Sequence, residues 1–242
     1  MIGVFSGTSD GRSIVEGLLN KGHQVVCFNA TAYGGTLYAD HVNLTVYDYK
    51  MDYQELIEKV ELHRIEYIID STHPFAEIIS RNLINLSEER HLKYMRYERP
   101  SSFEGAYNSY DQMICDLKKT QGPILLTIGS NNLAYFTKSD LIKRLFVRVL
   151  PTLDVIEKCI QLGLSPKQII GMQGPFSHEF NLALMKMLDI KHMVTKASGQ
   201  AGGLKEKISA ANELDIHTYV LKRPSIDYKK TYKNIRELLK EF

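Results

Sequence analysis

Cysteine is scarce in this sequence, and the few thiols are isolated. The 242 residues include only Cys27, Cys115 and Cys159, which lie far apart and form no C-x-x-C pair. No histidine accompanies them at the spacing of a metal site. An odd number of separated thiols argues against a disulfide scaffold and favours a reducing compartment. The sequence therefore predicts neither a disulfide framework nor a bound metal.

Long apolar runs and an excess of one charge are also missing, and we expect no leader sequence. No run reaches the roughly 18 apolar residues that a membrane-spanning helix needs, and the first residues, MIGVFSGTSDGR, lead directly into a strand-like run. The net charge is +2, from 30 Lys and Arg against 28 Asp and Glu, which is too even a balance to attract nucleic acid. With 44% hydrophobic and 24% charged residues, the composition is that of an ordinary folded protein. We expect a cytoplasmic protein without a membrane or nucleic-acid partner.

Short apolar runs alternate with longer amphipathic segments along the chain. In the first half, strand-like runs cover 2–5, 24–30, 41–46, 67–70 and 92–97, and helical patterns cover 9–21, 52–63 and 75–90. In the second half, strand-like runs cover 123–128, 144–150, 168–172, 191–195 and 216–222, and helical patterns cover 110–119, 152–161, 177–188, 204–214 and 231–242. Strands and helices at this spacing predict parallel sheets with crossover helices.

The polar segment 100–110, PSSFEGAYNSY, separates the two halves and is a candidate linker. The predicted fold class is α/β, with two mostly parallel sheets of about five strands each, flanked by helices. The predicted domain boundaries are 1–100 and 101–242. Because open parallel sheets bind ligands outside the carboxyl ends of their strands, the loops at those ends are the expected ligand sites.

The first such loop is a glycine turn between the first strand and the first helix. Small residues here allow backbone N–H groups and the positive end of the helix to approach a phosphate. Gly7 and Gly11 do not complete a G-x-G-x-x-G pattern, so a capped strand–helix turn with no ligand is the alternative interpretation. The candidate cofactor-binding residues of the turn are Ser6, Gly7, Thr8, Ser9, Asp10, Gly11 and Arg12.

The second predicted strand lacks the acidic residue that usually holds the ribose 2′-hydroxyl of NAD. The run from Val25 to Thr31 contains no carboxylate, and the next one is Asp40. Arg12 could instead contact a 2′-phosphate. The pattern favours NADP or weak discrimination, and Thr31 is a further candidate cofactor-binding residue.

The fourth predicted strand ends in the corner Asp-Ser-Thr-His-Pro-Phe-Ala, residues 70–76. Pro74 suits the first turn of a helix. Ser71 and Thr72 are candidate cofactor-binding residues, since this corner should lie beside the glycine turn. His73 could donate to a substrate carboxylate or relay a proton; the alternative is that it only caps the helix.

Basic and small-residue loops follow several other strands. Of Arg96 and Arg99, one is expected to pair with Glu98 or another acid, and the other to bind a carboxylate. The second half adds Ser130, the segment 173–177, a Lys-x-Ser-Gly loop and Arg223. Together these loops indicate a polyanionic small ligand, although any single one could be an ordinary turn. The candidate substrate-binding residues are Arg96, Arg99, Ser130, Ser198, Gly199 and Arg223, and Lys196 is a candidate catalytic residue.

The order and spacing of these motifs resemble the precorrin-6A reductase family of cobalamin biosynthesis. The resemblance rests on SGTSDGR, DSTHPFA, RYERP, QGPFS, VTKASG and LKRP, and it extends from Gly3 to Pro224. The family's glycine turn usually has Gly where this chain has Ser6 and Glu where it has Asp10. Its Lys-x-Ser-Gly loop often has a polar residue where this chain has Ala197.

The resemblance implies two Rossmann-like lobes, with dinucleotide binding by 1–100 and substrate binding by 101–242. It implies that NADPH or NADH reduces one double bond of a corrin-precursor macrocycle, either metal-free or carrying cobalt. On this interpretation the pyrophosphate lies over 7–11 and the nicotinamide near 71–73. If a side chain donates the proton, His73 and Lys196 are the candidates; water or a substrate carboxylate are alternatives.

Two rival functions remain to be weighed. One is a non-catalytic nucleotide or tetrapyrrole binding protein on the same fold. The other is a short-chain reductase or epimerase, which the sequence disfavours because it has no Tyr-x-x-x-Lys. The sequence leaves the cofactor preference, the cobalt content of the substrate and the oligomeric state open, with a monomer favoured.

Overall fold

The computed structural model describes residues 1–100, 106–199 and 202–242. They form two compact units. Unit 1 comprises Met1–Pro100 together with Pro224–Phe242, and unit 2 comprises Ser101–Arg223. Among the described residues, no helix has both the length and the apolar character that crossing a bilayer requires.

Strands and helices alternate along most of the chain. The strands are β1 Ile2–Ser6, β2 Val25–Phe28, β3 Leu44–Tyr47, β4 Tyr67–Ser71, β5 Lys93–Tyr97, β6 Ile124–Leu126, β7 Leu145–Val149, β8 Ile169–Gly171, β9 His192–Lys196, β10 His217–Leu221 and β11 Thr231–Tyr232. The helices are α1 Ser9–Asn20, α2 Ala32–Gly35, α3 Tyr53–Leu62, α4 Glu77–Glu89, α5 Tyr110–Leu117, α6 Leu133–Thr137, α7 Leu153–Gln161, α8 His178–Met187, α9 Leu204–Glu213 and α10 Ile235–Leu238. Short 3-10 segments cover Ile142–Arg144, Pro166–Gln168 and Leu239–Glu241.

Unit 1 contains a parallel sheet in the order β11-β5-β4-β1-β2-β3. Side chains alternate between its two faces, and each face has its own apolar core. Val4 and Ile69 pack with α1 on one face. Phe5 and Ile68 pack with α3 and α4 on the other. Helices on both faces explain why these strands are apolar at nearly every position.

The end of the chain completes the unit 1 sheet. The predicted helix 231–242 begins instead as β11, which pairs with β5; the Arg96 N–H donates to the Lys230 carbonyl at 2.8 Å. Leu238, in the helical turn that follows, is fully buried in the core beside α1. The segment Pro224–Phe242 therefore packs with unit 1, whereas the sequence analysis grouped it with 101–223.

Unit 2 contains a second parallel sheet in the order β10-β9-β6-β7-β8. Leu125 and Met193 lie in a core with side chains of α8 and α9. Tyr107 forms a parallel bridge to Leu221 at the β10 edge. Part of the predicted linker 100–110 thus belongs to the sheet, and residues 101–105 of that linker lie outside the described residues.

The predicted fold class is confirmed: the protein is α/β, with parallel sheets of six and five strands flanked by helices. The short helices α2 and α6 and the strand β11 are not predicted by the sequence pattern. Each is five residues or shorter, which is too short for a hydrophobic period to be visible.

Candidate active site

The glycine turn joins β1 to α1 at the carboxyl end of the unit 1 sheet. Thr8 caps α1, and its hydroxyl accepts a hydrogen bond from the Gly11 N–H at 3.4 Å. The same hydroxyl donates to the Ser71 carbonyl at 3.4 Å, which ties the turn to the end of β4. Gly7 and Ser9 are exposed. The 12-residue helix α1 therefore begins at an exposed turn, where the first N–H groups of a helix lack intrahelical partners.

The glycine turn and the Asp-Ser-Thr-His corner lie side by side, because β1 and β4 are neighbouring strands. Ser6 pairs in register with Ser71. A Cβ placed on Gly7 would lie 3.6 Å from the His73 amide nitrogen. Gly11 is packed more tightly, since its Cβ would lie 2.8 Å from Ser71 Oγ. The predicted proximity of the two motifs is confirmed.

The ring of His73 is oriented by its own loop. Its Nδ1 accepts a hydrogen bond from the Phe75 N–H at 3.2 Å, which in the neutral ring assigns the proton to Nε2. The His73 carbonyl also accepts from the Ala76 N–H, at the residue before α4. His73 therefore combines the predicted loop-ordering role with a half-buried ring at the sheet edge.

A buried ion pair stabilises the Asp-Ser-Thr-His corner. Asp70 and Arg96 have no exposed side-chain surface, and Arg96 Nη1 lies 2.7 Å from Asp70 Oδ1. The same carboxylate oxygen accepts from both the amide and the hydroxyl of Thr72, at 3.0 and 2.7 Å. Tyr94 donates to the other oxygen at 2.8 Å. Asp70 thereby fixes the backbone of Thr72, which precedes His73.

This geometry corrects the expectation for Arg96. Its guanidinium donates to Asp70, Thr72 and Glu98 and lies over the Tyr228 ring at 5.0 Å. Burial by itself would lower its pKa, but the charges of Asp70 and Glu98 outweigh that effect and raise it. Because the side chain is fully buried and bonded to these three groups, its role in the structure is to hold the corner.

The other residues expected to bind a cofactor surround the glycine turn. Arg99 forms an ion pair with Asp10, so Asp10 anchors Arg99 at the first turn of α1. Ser6 accepts a hydrogen bond from the Tyr38 hydroxyl at 2.9 Å. Arg12 is half-buried, and its charge opposes the rise that burial causes in the Tyr38 pKa. Thr31 is exposed and accepts from the Gly34 N–H at 3.2 Å, at the start of α2.

In unit 2 the Lys-x-Ser-Gly loop and Arg223 come together at the carboxyl ends of β9 and β10. The Arg223 Nε donates to the Ala197 carbonyl at 2.8 Å, and a Cβ on Gly199 would lie 3.0 Å from Arg223 Nη2. Gly202, two residues before α9, lies against Ser198, since a Cβ placed on it would be 2.8 Å from the Ser198 Cβ. Lys196 ends β9, and burial lowers its pKa to about 8.

Ser130 follows β6, which pairs with β9, so it lies at the same sheet edge as Lys196. Its carbonyl accepts from the Leu133 N–H at 3.5 Å, at the start of α6. No hydrogen bond joins Ser130 to the described part of the Lys-x-Ser-Gly loop. Within the described ranges, no group of three or more His, Cys, Asp or Glu residues could hold a metal ion.

Sequence reasoning missed several buried polar residues near these loops. Tyr38, Tyr94 and Tyr228 were not among the predicted site residues, because a single tyrosine carries no motif of its own. Arg148 and Lys207 were also missed, although the sequence pattern around each of them indicates a buried cation. Arg148 interrupts the apolar run of β7, and Lys207 falls on the same helix face as Leu204 and Ala211.

The two parallel α/β units, each with polar loops at the carboxyl ends of its strands, define a protein of the Rossmann-like class. The chain belongs to the precorrin-6x reductase family, CbiJ/CobK, whose family model matches residues 1–242. The resemblance inferred from the sequence motifs is thus confirmed.

Relatives with the same activity in their names match along most of their length. The chain is 34% identical to the cobalt-precorrin-6A reductase of Priestia megaterium, over 99% of this chain and 96% of the relative. It is 32% identical to that of Salmonella typhimurium, over 92% and 87%. Its fold is similar to that of a solved structure, CobK precorrin-6A reductase, with a TM-score of 0.79 over 99% of this chain and 94% of that one, at 18% identity.

Proposed function

We propose that this protein reduces one double bond of cobalt-precorrin-6A, or of its metal-free counterpart, with NADPH or NADH as the reductant. The family and the two similar reductases support the reaction. Both of those relatives are named for the cobalt-containing substrate, which favours it here. The observation that carries the cofactor proposal is the contact of the Gly7 turn with the backbone of Thr72 and His73.

The unit 1 turn fits the phosphates of a dinucleotide. Gly7 is exposed at the amino end of α1, where the helix dipole and free N–H groups favour an anion. Ser9 and the Thr8 N–H border the same opening. Arg12 is the side chain placed to meet a 2′-phosphate, since within the described ranges it has no ion-pair partner. Ser71 and Thr72 then lie on the path towards the nicotinamide.

The unit 2 edge fits the carboxylate arms of the macrocycle. One loop cluster presents hydrogen-bond donors and two cations, supplied by Lys196, Arg223, Ser198 and the Gly199 backbone. Carboxylates bind well to such donors, especially to arginine. Arg99 and Ser130 remain proposed contacts at the edges of their own units, whereas Arg96 does not.

Bound NADPH or NADH would supply the hydride, and the residues of the chain hold both reactants and control the proton. Hydride transfer needs close contact between the donor and acceptor carbons and the exclusion of water. The neighbouring carbon then takes a proton. Lys196 is a suitable donor, because with a pKa of about 8 it is protonated at pH 7 yet releases its proton more readily than an ordinary lysine. His73 Nε2 is the second candidate.

Anaerobic mixing of the protein, NADPH and cobalt-precorrin-6A tests the proposal directly. The reduced-nicotinamide absorbance should fall in step with formation of the reduced macrocycle, and a parallel reaction with NADH gives the cofactor preference. If both ligands bind but neither cofactor is oxidised, the non-catalytic binding protein is correct instead.

We also propose that the protein works in the cytoplasm as a monomer. The three cysteines are unpaired, and burial raises the pKa of Cys27 to about 11, so this thiol stays protonated and unreactive. Size-exclusion chromatography with light scattering at micromolar concentration should give the mass of one chain. A dimer mass would overturn the second part of the proposal.

A further inference from the structure

Two buried cations lie in unit 2 between the sheet and the helices α8 and α9. Arg148, on β7, is 7% exposed, and Lys207, on α9, is 6% exposed. Buried charges in proteins are normally paired with an opposite charge. Among the residues that the structure describes, neither cation has a carboxylate within ion-pair distance.

The strand register places a buried hydroxyl, that of Thr195, level with Arg148 in the sheet. Val147 of β7 and Val194 of β9 both pair with Leu126 of the intervening strand. The next residues, Arg148 and Thr195, are therefore level with each other, about 10 Å apart across two strand spacings. Thr195 alternates with Val194 and so shares the face of Met193, which packs with α8 and α9. The Thr195 hydroxyl is buried, and among the described residues it has no hydrogen-bond partner.

The groups around Arg148 and Lys207 do not neutralise them. Arg148 donates to the Asn181 amide oxygen at 2.8 Å, and its guanidinium lies 4.3 Å from the centre of the Phe176 ring. Burial lowers the pKa of Arg148 to about 10. Burial also lowers the pKa of Lys207 to about 8, with Arg148 and Lys196 adding to the effect and Glu206 opposing it. The buried Oε2 of Glu206 makes no hydrogen bond to any residue within the described ranges.

Two loops close this cluster at the sheet edge. Phe176 stacks on Arg148 and is followed by Ser177, which caps the start of α8. A Cβ on Gly203, at the start of α9, would lie 3.9 Å from the Phe176 carbonyl. The amino ends of two ten-residue helices thus begin beside the cluster, and both helix dipoles add positive potential there.

We propose that Arg148, Lys207 and the Thr195 hydroxyl bind one oxyanion, a carboxylate or phosphate group of a ligand, beside the Phe176 loop. The site supplies the two positive charges and the unpaired donor that such a group would neutralise. It deepens the proposed function, on which it rests for the source of the anion: a carboxylate arm of the substrate or a phosphate of the cofactor. It makes Arg148 and Lys207 anchoring residues in addition to Lys196.

Lysine NMR on the whole protein tests the site without any substitution. Protein carrying [ε-13C]lysine is titrated with pH in chloride, in inorganic phosphate and in acetate at equal ionic strength. A bound anion favours the charged amine, so the pKa of Lys207 should rise by one unit or more with at least one of the two oxyanions. No change with either, up to tens of millimolar, would overturn the proposal.

Matched variants assign the response to these residues. Lys207→Met and Arg148→Met should each weaken binding of the responding anion at least tenfold, whereas Lys205→Met, an exposed lysine of the same helix, should keep it within twofold. Unchanged affinity in both buried variants would refute the site. If these variants do not fold, the wild-type titration still decides. The Lys207 resonance is assigned as the shifted signal that persists in Lys196→Arg.

The two anions and the reaction assay separate the possible sources and failures. A response to acetate points to a substrate carboxylate, and a response to phosphate alone points to the cofactor. NADPH oxidation by a protein with no anion response would refute only this inference. An anion response in a protein that oxidises no cofactor would refute only the proposed function.

Discussion

At the scale of single residues, the most constrained group is the Asp70–Arg96 pair. Both side chains are fully buried, and their hydrogen bonds extend to Thr72, Tyr94 and Glu98. A pair of this kind stabilises little relative to an apolar replacement, but loss of one partner leaves a buried charge uncompensated. The network therefore serves mainly to fix the corner that carries Thr72 and His73.

Arg96→Met should destabilise the protein by about 3–5 kcal/mol, because it leaves the Asp70 carboxylate buried without its cation. Urea unfolding followed by circular dichroism measures the loss. Arg81→Met, which removes an exposed pair with Glu77, should cost less than about 0.5 kcal/mol. If Arg96→Met costs no more than this control, the network does not hold the corner.

The low pKa of Lys196 gives a second prediction at this scale. Burial lowers this pKa from its ordinary value to about 8, so the protonated amine is present below pH 8 and is lost as pH rises through it. The value of kcat/KM should fall above pH 8 by about tenfold per unit. Lys196→Arg stays charged throughout but cannot release a proton, so it should lower kcat/KM and leave the residual value without this descending limb, while Lys205→Arg should keep both. A limb that survives Lys196→Arg would assign the ionisation to another group.

At the scale of elements, the two glycines of the β1–α1 turn have different roles. Gly7 is exposed and has room for a methyl group, whereas Gly11 faces the ends of β1 and β4. The spacing of the two glycines in the sequence did not distinguish them. The difference arises because Gly11 is the residue that packs α1 against Ser6 and Ser71.

Gly7→Ala and Gly11→Ala should therefore separate cofactor binding from folding. Gly7→Ala should leave the unfolding midpoint unchanged but raise the Kd of NADPH at least tenfold, since the added methyl occupies the phosphate path. Gly11→Ala should destabilise by roughly 1–3 kcal/mol through overpacking, despite the better helix propensity of alanine. Fluorescence titration and thermal unfolding measure the two effects. Unchanged NADPH affinity in Gly7→Ala would place the phosphates elsewhere.

Most elements were predictable because their patterns are long. The period of 3.6 in α1, α3 and α4 and the apolar runs of β1 and β4 need no tertiary information. The strand β11 was not predictable. Thr231 and Tyr232 are only two residues, and they form a strand because the edge of β5 is available to pair with them.

The candidate site was predictable where it consists of loops and unpredictable where it depends on partners. The motifs placed Gly7, His73 and Lys196 at sheet edges, because parallel strands bring their carboxyl ends together. The burial and the ion-pair partners of Arg96 could not be predicted from the sequence, since Asp70 and Glu98 become its partners only after β4 and β5 pair. Arg148 and Lys207, which are 59 positions apart in the sequence, are likewise neighbours only through the fold.

At the scale of the whole molecule, unit 1 is built from two separate parts of the chain. The segment Pro224–Phe242 supplies β11 and the buried Leu238, and Lys229 adds an ion pair with Glu88 of α4. The stability of unit 1 thus depends on residues that follow all of unit 2.

Leu238→Ala should loosen unit 1 specifically. The leucine is fully buried in the core beside α1, and such a truncation costs about 2–5 kcal/mol. Hydrogen exchange read by mass spectrometry should show faster exchange in peptides from α1 and β5, with peptides from β6 and β9 unchanged. Leu153→Ala, at a 91% exposed leucine of unit 2, is the matched control. Faster exchange in β6 and β9 instead would mean that the tail supports the other unit.

The return of the chain to β5 also sets an order of assembly during translation. A ribosome must deliver all of Ser101–Arg223 before it delivers the strand that covers β5. Until then, the β5 edge of the nascent first hundred residues has no strand paired with it. The complete sequence of unit 2 is available earlier. We expect unit 2 to complete its folding first, and unit 1 to reach its native fold only when the final strand has been synthesised.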